Sequence, residues 1–217
     1  MDEQASKPRK DFIRYGCLAG LVLLLMVVLG GLFGLYYAKR MFKDFTDTKP
    51  AVFPPVRLSR LEIDQLQQRI DKYRQEVRQG KTTEPLKLSS DEINALLETD
   101  PDLKALKGKL YVTISGKQID GQVSVPMETV GLPLFRGRYL NGTGTFDISL
   151  HNGRLRLHLL SFFAKGRRIP EVYMDQVRKH NFAEGINSDP RAAAAMEWLA
   201  DIKVEDGKLT LVPKQKK

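Results

Sequence analysis

The sequence predicts an α+β protein: an N-terminal transmembrane helix, then a mostly antiparallel sheet of about six strands, arranged as three hairpins and packed with short helices. Three observations lead to this prediction. A run of 21 residues, 17–37, contains no charged side chain. Three two-residue turn signals are each flanked by apolar residues in matching positions. Serine and aspartate caps precede several stretches with helical periodicity.

The uncharged run from Cys17 to Tyr37 predicts a membrane-spanning helix. At about 1.5 Å per residue, this run forms a helix of about 30 Å, which matches the hydrocarbon core of a bilayer. Its apolar part is longer than that of a signal peptide, and bulky and basic residues follow it instead of a small-residue cleavage site. We therefore expect an uncleaved anchor over residues 16–38, preceded by a short N-terminal tail, 1–15.

Basic residues on the two sides of the span are equal in number, so they do not fix its orientation. They are Lys7, Arg9, Lys10 and Arg14 before the span, and Lys39, Arg40, Lys43 and Lys49 after it. Because long domains cross a membrane largely regardless of charge, we expect the N-terminus in the cytoplasm and the C-terminal domain outside. The predicted location is the cell (inner) membrane, with a single pass.

One face of the predicted span carries small residues. Spacings of four and three place six residues within about 40° of one line along the helix: Gly16, Gly20, Leu23, Val27, Gly30 and Gly34. Small residues let two helix backbones approach closely in lipid. Either this face packs against a second copy or a partner membrane protein, or its glycines only reflect the high frequency of glycine in membrane helices.

A juxtamembrane linker, 39–57, and an amphipathic helix, 58–80, are predicted to follow. Three prolines stiffen the linker. Ser59 and Glu62 form a capping box, and Gly80 is a typical helix stop. The apolar residues of the helix repeat at spacings of three and four: Ile63, Leu66, Ile70, Tyr73 and Val77. This seam fits packing against the protein's own sheet, or a short coiled coil with another helix.

Three turn signals predict hairpins within an α+β domain of residues 84–213. The turns are Gly116-Lys117, Asn152-Gly153 and Asp206-Gly207. Around each turn, apolar residues face apolar residues, as in the pairs Ile114–Ile119, Leu150–Leu155 and Val204–Leu209. A one-residue slip would turn every side chain to the other face, so this agreement predicts the register. Helices that begin after Ser89, at Pro170 and after Asp189 are expected to cover the apolar face.

At one end of the second hairpin, both faces of the sheet read as apolar. Continuing the register pairs each of two threonines with an apolar residue; the four residues are Thr143, Thr145, Leu160 and Phe162. Two explanations remain open: a β-bulge near Gly142 and Gly144, or an apolar groove that holds an acyl chain or a partner's helix. The groove hypothesis predicts that Phe162→Asp removes the groove without unfolding the domain.

The region 104–179 is strongly basic, with 13 Lys or Arg against 5 Asp or Glu. Beside a membrane anchor, such a surface is either simply solvated or faces anionic headgroups. The candidate headgroup-facing residues are Arg154, Arg156, Arg167 and Arg168. These basic residues are not interleaved with aromatic residues in a recognition motif, so no nucleic-acid partner is predicted.

The sequence contains no motif for catalysis or cofactor binding. A Gly-rich phosphate loop, G-x-S-x-G and H-E-x-x-H are absent, and the three histidines lack the spacing of metal ligands. Charge pairing across a sheet accounts for the predicted Asp147–His158 pair. A single cysteine, Cys17, excludes an internal disulfide and a cysteine-based metal site. We therefore expect a protein that is not an enzyme and has no cofactor and no metal.

Several short motifs resemble a known family. They are residues 88–97 (LSSDEINALL), 152–157 (NGRLRL), 165–170 (KGRRIP) leading into a helix with Tyr173-Met174, and 204–211 (VEDGKLTL). In this order after a membrane anchor, they resemble YpmS-like bacterial single-pass envelope proteins of unknown function and, more distantly, bacterial tubular lipid-binding (TULIP-like) domains. The resemblance covers roughly residues 86–212. It implies a non-enzymatic envelope domain with a lipid-facing sheet, and it carries over no catalytic residues.

Two functions follow as expectations. In the first, the extracytoplasmic domain binds lipid or another apolar ligand near the membrane. In the second, the protein is a scaffold that assembles through the glycine face of the span and the 58–80 helix, as a homodimer or with a partner membrane protein. Both describe a non-enzymatic protein integrated in the membrane by one span.

Overall fold

The computed structural model describes residues 9–130 and 136–215 of the chain. The chain divides into two compact units, Met1–Asp44 and Phe45–Lys217. A long helix, α1 (Arg9–Phe45), makes up the described part of the first unit and ends at the first residue of the second. The second unit, called the domain from here on, contains the sheets and the remaining helices. The predicted class, α+β with one N-terminal apolar helix, is confirmed.

One stretch of α1, Leu23–Phe45, is long and apolar enough to span a membrane, with a mean hydropathy of 1.4. None of its most apolar 18-residue part is buried by the protein itself. Phe33 and Met26, for example, are 69% and 68% exposed. An apolar surface of this extent requires lipid or another apolar helix to cover it.

The domain contains two antiparallel sheets and several short helices. The helices are α2 (Arg60–Arg78), α3 (Ser90–Thr99), α4 (Glu171–Val177), α5 (Glu184–Ser188) and α6 (Pro190–Met196). The strands are β1 (Leu86–Ser89), β2 (Leu110–Ser115), β3 (Gln118–Pro126), β4 (Tyr139–His151), β5 (Arg154–Ala164), β6 (Arg167–Arg168), β7 (Leu199–Glu205) and β8 (Lys208–Pro213). The five-stranded sheet has the order β2-β3-β4-β5-β6, and the three-stranded sheet the order β1-β8-β7.

All three predicted hairpins are present in the predicted register. Ile114 pairs with Ile119, Leu150 with Leu155, and Val204 with Leu209. Asn152 and Asp206 adopt φ angles of 51° and 52°, each followed by a glycine that also has positive φ, as a type I′ turn requires. The structure adds two strands to the six predicted, β1 and β6, which are too short for their alternation to stand out.

The seam of α2 packs into the domain's own core. Leu66, Tyr73 and Val77 are buried in one cluster with residues of both sheets and of α3. The other members of that cluster are Leu86, Leu88, Ala95, Leu155, Ala183, Leu199 and Ile202. The capping boxes at the start of α2 and of α3 are both formed. Two roles were considered for the 58–80 helix, and in the structure this helix packs against the protein's own sheet.

Tyr73 makes the stability of this core dependent on pH. Its hydroxyl donates a 3.1 Å hydrogen bond to the carbonyl of Leu211, and burial raises the pKa of Tyr73 to about 12. Because the folded-state pKa is raised above the ordinary value of about 10, this contribution to stability is complete below about pH 10 and is lost as the pH rises to about 12.

We expect Tyr73→Phe to be about 1 kcal/mol less stable at neutral pH and to lose much less stability than the wild type in strong alkali. Urea unfolding of the detergent-solubilised protein over the alkaline range measures this difference. Val77→Ala is the control, since it weakens the same packing but keeps the phenol, and it should retain the wild-type pH dependence. Equal alkaline losses in the wild type and Tyr73→Phe would show that another group is responsible.

The predicted helix that begins at Pro170 is short in the structure, because α4 ends at Val177. The following residues lie along the free edge of β5. The Asn181 side chain accepts from the Leu157 N–H at 2.9 Å and donates to the Leu155 carbonyl at 3.0 Å. Asn187 adds two similar bonds to the backbone of Leu155. The amide side chains of Asn181 and Asn187 thus form hydrogen bonds with backbone groups of this sheet edge, which would otherwise be open to a strand of another molecule.

Candidate functional site

A segment between α1 and α2, residues 45–58, runs across the outer face of the five-stranded sheet; it is called the strap here. Its first turn is built into the sheet. Asp47 forms an antiparallel bridge with Tyr139, with two N···O distances of 2.8 Å. Thr46 is 1% exposed, and Arg138 donates to its hydroxyl and to its carbonyl, each at 2.6 Å. The strap is therefore an ordered part of the domain.

Asn141 of β4 holds the middle of the strap. Its amide nitrogen donates to the Asp47 carboxylate at 3.1 Å and to the Lys49 carbonyl at 2.9 Å. Its amide oxygen accepts from the Ala51 N–H at 3.2 Å and from the Ser124 hydroxyl at 2.9 Å. Both donor and both acceptor positions of the side chain are used. Farther along, Phe53 stacks on Tyr111 with ring centroids 6.2 Å apart.

The strap was not recognised in the sequence, which indicated a linker over 39–57. From Phe45 onward these residues belong to the domain. The bounds of the predicted tail, span and linker otherwise stay predictions.

The structure contains the β-bulge that was one of the two explanations for the apolar end of the second hairpin. The register shifts between Thr145 and Phe146, so that Thr145 pairs with Ser161 and Phe146 with Leu159. Leu160 is the extra residue. The predicted pairs Thr145–Leu160 and Thr143–Phe162 are therefore wrong: Thr143 lies opposite Phe163, and Phe162 lies opposite Gly144.

Phe162 faces the core and does not line a groove. It is 7% exposed and packs with Leu159, Ala164 and Met174. The ring lies over two glycines of β4, where a Cβ on Gly142 would come within 2.4 Å of the ring and one on Gly144 within 3.1 Å. The expectation that Phe162→Asp would leave the domain folded is therefore wrong, and this substitution is expected to unfold the domain.

Thr145 and Leu160 do lie together, on the outer face. Leu160 is 48% exposed. The two residues line an open hollow of about 460 Å³ with Ser115, Gln118, Phe146 and Asp147. A second open hollow, of about 510 Å³, lies between the strap at Phe53–Val56 and residues 98–108. Both hollows are shallow and mix polar with apolar residues, unlike the enclosed apolar cavities that usually hold a lipid chain.

The four candidate headgroup-facing arginines divide into two groups. Arg154 and Arg156 lie at the turn end of β5, whereas Arg167 and Arg168 form β6 beside its other end. The length of β5 separates the groups by about 30 Å, at about 3.3 Å per residue. The second group lies near the start of the strap, where Lys165 Nζ is 3.3 Å from the Asp47 carboxylate and 3.4 Å from the Thr46 carbonyl.

Asp147 and His158 lie opposite each other, as the register predicted. The Nδ1 atom of His158 is 3.1 Å from the carbonyl of Arg178, which can only accept, so this nitrogen carries the proton. Within residues 9–130 and 136–215, no group of three His, Cys, Asp or Glu side chains is arranged to hold a metal ion. Asp147 and His158 thus occupy facing positions on neighbouring strands, as cross-strand polar residues commonly do.

On α1, part of the predicted packing face is open. A Cβ placed on Gly30 or Gly34 would meet nothing within 4 Å, and Leu23 and Val27 are 67% and 64% exposed. Gly16 and Gly20 lie in the same helix, but their surroundings are outside the described part of the chain.

Fold and site together define a chain with one apolar helix of membrane-spanning length and, as a second compact unit, an α+β domain that includes the strap. No family model matches the sequence, and no curated protein and no solved structure matches it either. The resemblance to YpmS-like and TULIP-like proteins stays a prediction.

Proposed function

We propose that this chain is a non-enzymatic, single-pass protein of the cell (inner) membrane, with its N-terminus in the cytoplasm and its domain outside. In this proposal the domain is an interaction module held at the membrane surface, and the protein is a scaffold that assembles through α1. The observation that carries the proposal is the strap. It fixes the chain to the sheet from Thr46 onward, directly after the last residue of α1.

The strap removes the freedom that a linker would give. Thirteen unstructured residues would allow an end-to-end distance of about 20 Å. The bridge at Asp47 and the bonds to Asn141 instead hold these residues against the sheet of the domain. Few residues then connect the apolar helix to the sheet, which suits a function near the bilayer.

The glycine face of α1 is the surface that we propose for assembly. The seam of α2 is buried in the domain core, so it is not free to form a coiled coil. The open surroundings of Gly30 and Gly34 leave room for a second helix backbone to approach. The occupant is a second copy of α1 or a helix of a partner membrane protein.

We expect Gly20→Ile combined with Gly30→Ile to reduce the cross-linked dimer, or the complex with a partner, at least about tenfold, because branched side chains keep the backbones apart. Amine-reactive cross-linking of the full chain in native membranes measures this. Leu25→Ile is the control, since Leu25 lies about 180° from the centre of the face, and it should assemble normally. Unchanged assembly of the double variant would contradict the proposed role of this face.

Orientation and retention of the anchor have a separate test. A cysteine replacing Val52, which is 95% exposed on the strap, should react in intact cells with a maleimide that does not cross membranes. An N-terminal tag should remain on the labelled protein, and this protein should stay in the membrane after extraction with alkaline carbonate. A domain that is protected in intact cells would reverse the proposed orientation, and loss of the tag would show a cleaved signal sequence.

A second candidate function, binding of an apolar ligand, is favoured by one observation: the exposed Leu160 in the hollow on the outer face. Native mass spectrometry with lipid extraction of the purified full chain tests it. A stoichiometric lipid that is lost in Leu160→Asp but kept in Phe163→Asp would support this function. A lipid retained equally by both variants, or no lipid at all, would count against it.

A further inference from the structure

Beside the start of the strap, the domain carries an exposed strip of basic and apolar side chains, residues 163–173, called the β6 edge here. Phe163, Val172 and Tyr173 are 43%, 72% and 48% exposed. Arg167 and Arg168 are exposed between them. At this edge, large exposed apolar side chains lie beside cations.

Local structure holds these side chains outward. Lys165 and Gly166, with φ angles of 51° and 72°, reverse the chain so that Phe163 pairs with Arg168 across two adjacent strands. Met174 of α4 is 1% exposed and anchors that helix to the core. The preceding Val172 and Tyr173 are thereby left on the outer side. Two acidic groups at this edge are already paired: Glu171 forms ion pairs with Arg168 at 2.8 Å and with Arg178 at 2.7 Å, and Asp47 lies 3.3 Å from Lys165.

The β6 edge lies where the chain enters the domain from α1. Lys165 contacts both Thr46 and Asp47, and Phe45 packs against the core cluster that includes Ile169. The uncharged run ends at Tyr37, and the part of α1 from Tyr37 to Phe45 is about 12 Å long. A headgroup layer is about 6 Å thick and the Debye length is about 8 Å at physiological ionic strength. The edge is therefore within electrostatic reach of the headgroups of a spanned bilayer.

We infer that the β6 edge docks onto anionic phospholipid headgroups, with Arg167 and Arg168 at the phosphates and with Phe163, Val172 and Tyr173 in the interface. Charge complementarity and continuity with the anchor identify this occupant. Basic and apolar side chains together are the combination by which peripheral segments bind anionic bilayers. The inference rests on the proposed membrane anchoring, and it assigns the headgroup contact to Arg167 and Arg168, which lie beside the strap, and not to Arg154 and Arg156, about 30 Å away along β5.

The full chain reconstituted in lipid nanodiscs tests this inference. An environment-sensitive fluorophore is attached to Val172→Cys in a Cys17→Ser background, and the same label on Arg154→Cys serves as the control. With phosphatidylglycerol present, the label at 172 should shift to the blue and be quenched by lipid-bound quenchers, whereas the label at 154 should report water. A label at 172 that reports water in every nanodisc would overturn the inference, and so would equal shifts at both positions.

Matched charge removal tests the role of the arginines. Arg167→Gln with Arg168→Gln should lower the ratio of docked to undocked domain about 30-fold, since each basic residue near an anionic surface contributes about a fivefold factor. Arg154→Gln with Arg156→Gln removes the same charge and should leave docking unchanged. Equal docking in pure phosphatidylcholine would show that the surface does not select anionic lipid and would overturn the inference. A failure of the proposed membrane anchoring would be seen before docking is measured, because an unanchored chain does not enter the nanodisc.

Discussion

Replacing Phe162 by aspartate is expected to unfold the domain, whereas the same change at the next residue, Phe163, should leave it folded. Phe162 is 7% exposed and closes the core over Gly142 and Gly144, while Phe163 is 43% exposed on the opposite face. Removing a buried phenylalanine costs about 3–5 kcal/mol, and burying an unpaired carboxylate adds several more. The sum approaches the total stability of a typical domain.

Circular dichroism and thermal unfolding of the full chain in detergent measure this contrast. Phe162→Leu provides a variant that still folds, and it should lower stability by about 1–2 kcal/mol, or about 2–8 °C in Tm. A folded Phe162→Asp protein with an unchanged melting temperature would show that the ring is not part of the core. It would also restore the groove as an explanation for the apolar end of the hairpin.

Replacing Asn141 by alanine is expected to release the strap while the rest of the domain stays folded. The substitution removes four hydrogen bonds, to Asp47, Lys49, Ala51 and Ser124. Three of these bonds hold the strap, so at about 0.5–1 kcal/mol each the strap loses about 1.5–3 kcal/mol of local stability. The amides of Asp47 and Ala51, which donate hydrogen bonds in the closed strap, should then exchange roughly 10- to 150-fold faster.

Hydrogen exchange with mass spectrometry, on peptides covering residues 45–58, detects this release. Thr143→Ala is the control, because Thr143 lies on the same strand and face but outside the strap's hydrogen bonds. Unchanged exchange in Asn141→Ala would show that the bridge at Asp47 and the bonds from Arg138 suffice to hold the strap. If exchange rises throughout the domain, Asn141 supports the whole sheet and not the strap alone.

The hairpins could be predicted because their determinants are local. A turn sequence such as Asn152-Gly153 fixes the backbone, and the apolar residues on either side confirm the register within a few positions. The buried seam of α2 follows in the same way from helical spacing. Both kinds of signal lie within a short stretch of sequence.

The strap could not be predicted, because its contacts are polar and distant in sequence. Ala51 bonds to residues 73 and 90 positions away, and Asp47 bonds to one 94 positions away. Such bonds have no periodicity, and proline-rich segments usually indicate a spacer. The groove hypothesis failed for a related reason: one extra residue, Leu160, reverses the parity of all that follow it. The glycines at 142 and 144 marked the region but did not decide between the two explanations.

The order of strands in the smaller sheet also affects when the domain can form during synthesis. β8 is the middle strand, and it joins β1 to β7 although β1 precedes it by more than half of the domain. The core around Leu86, Leu88 and Ile202 therefore stays open until residues 208–213 have left the ribosome. The smaller sheet is therefore completed only after nearly the whole domain has been synthesised, and β1 stays without its partner strand until then.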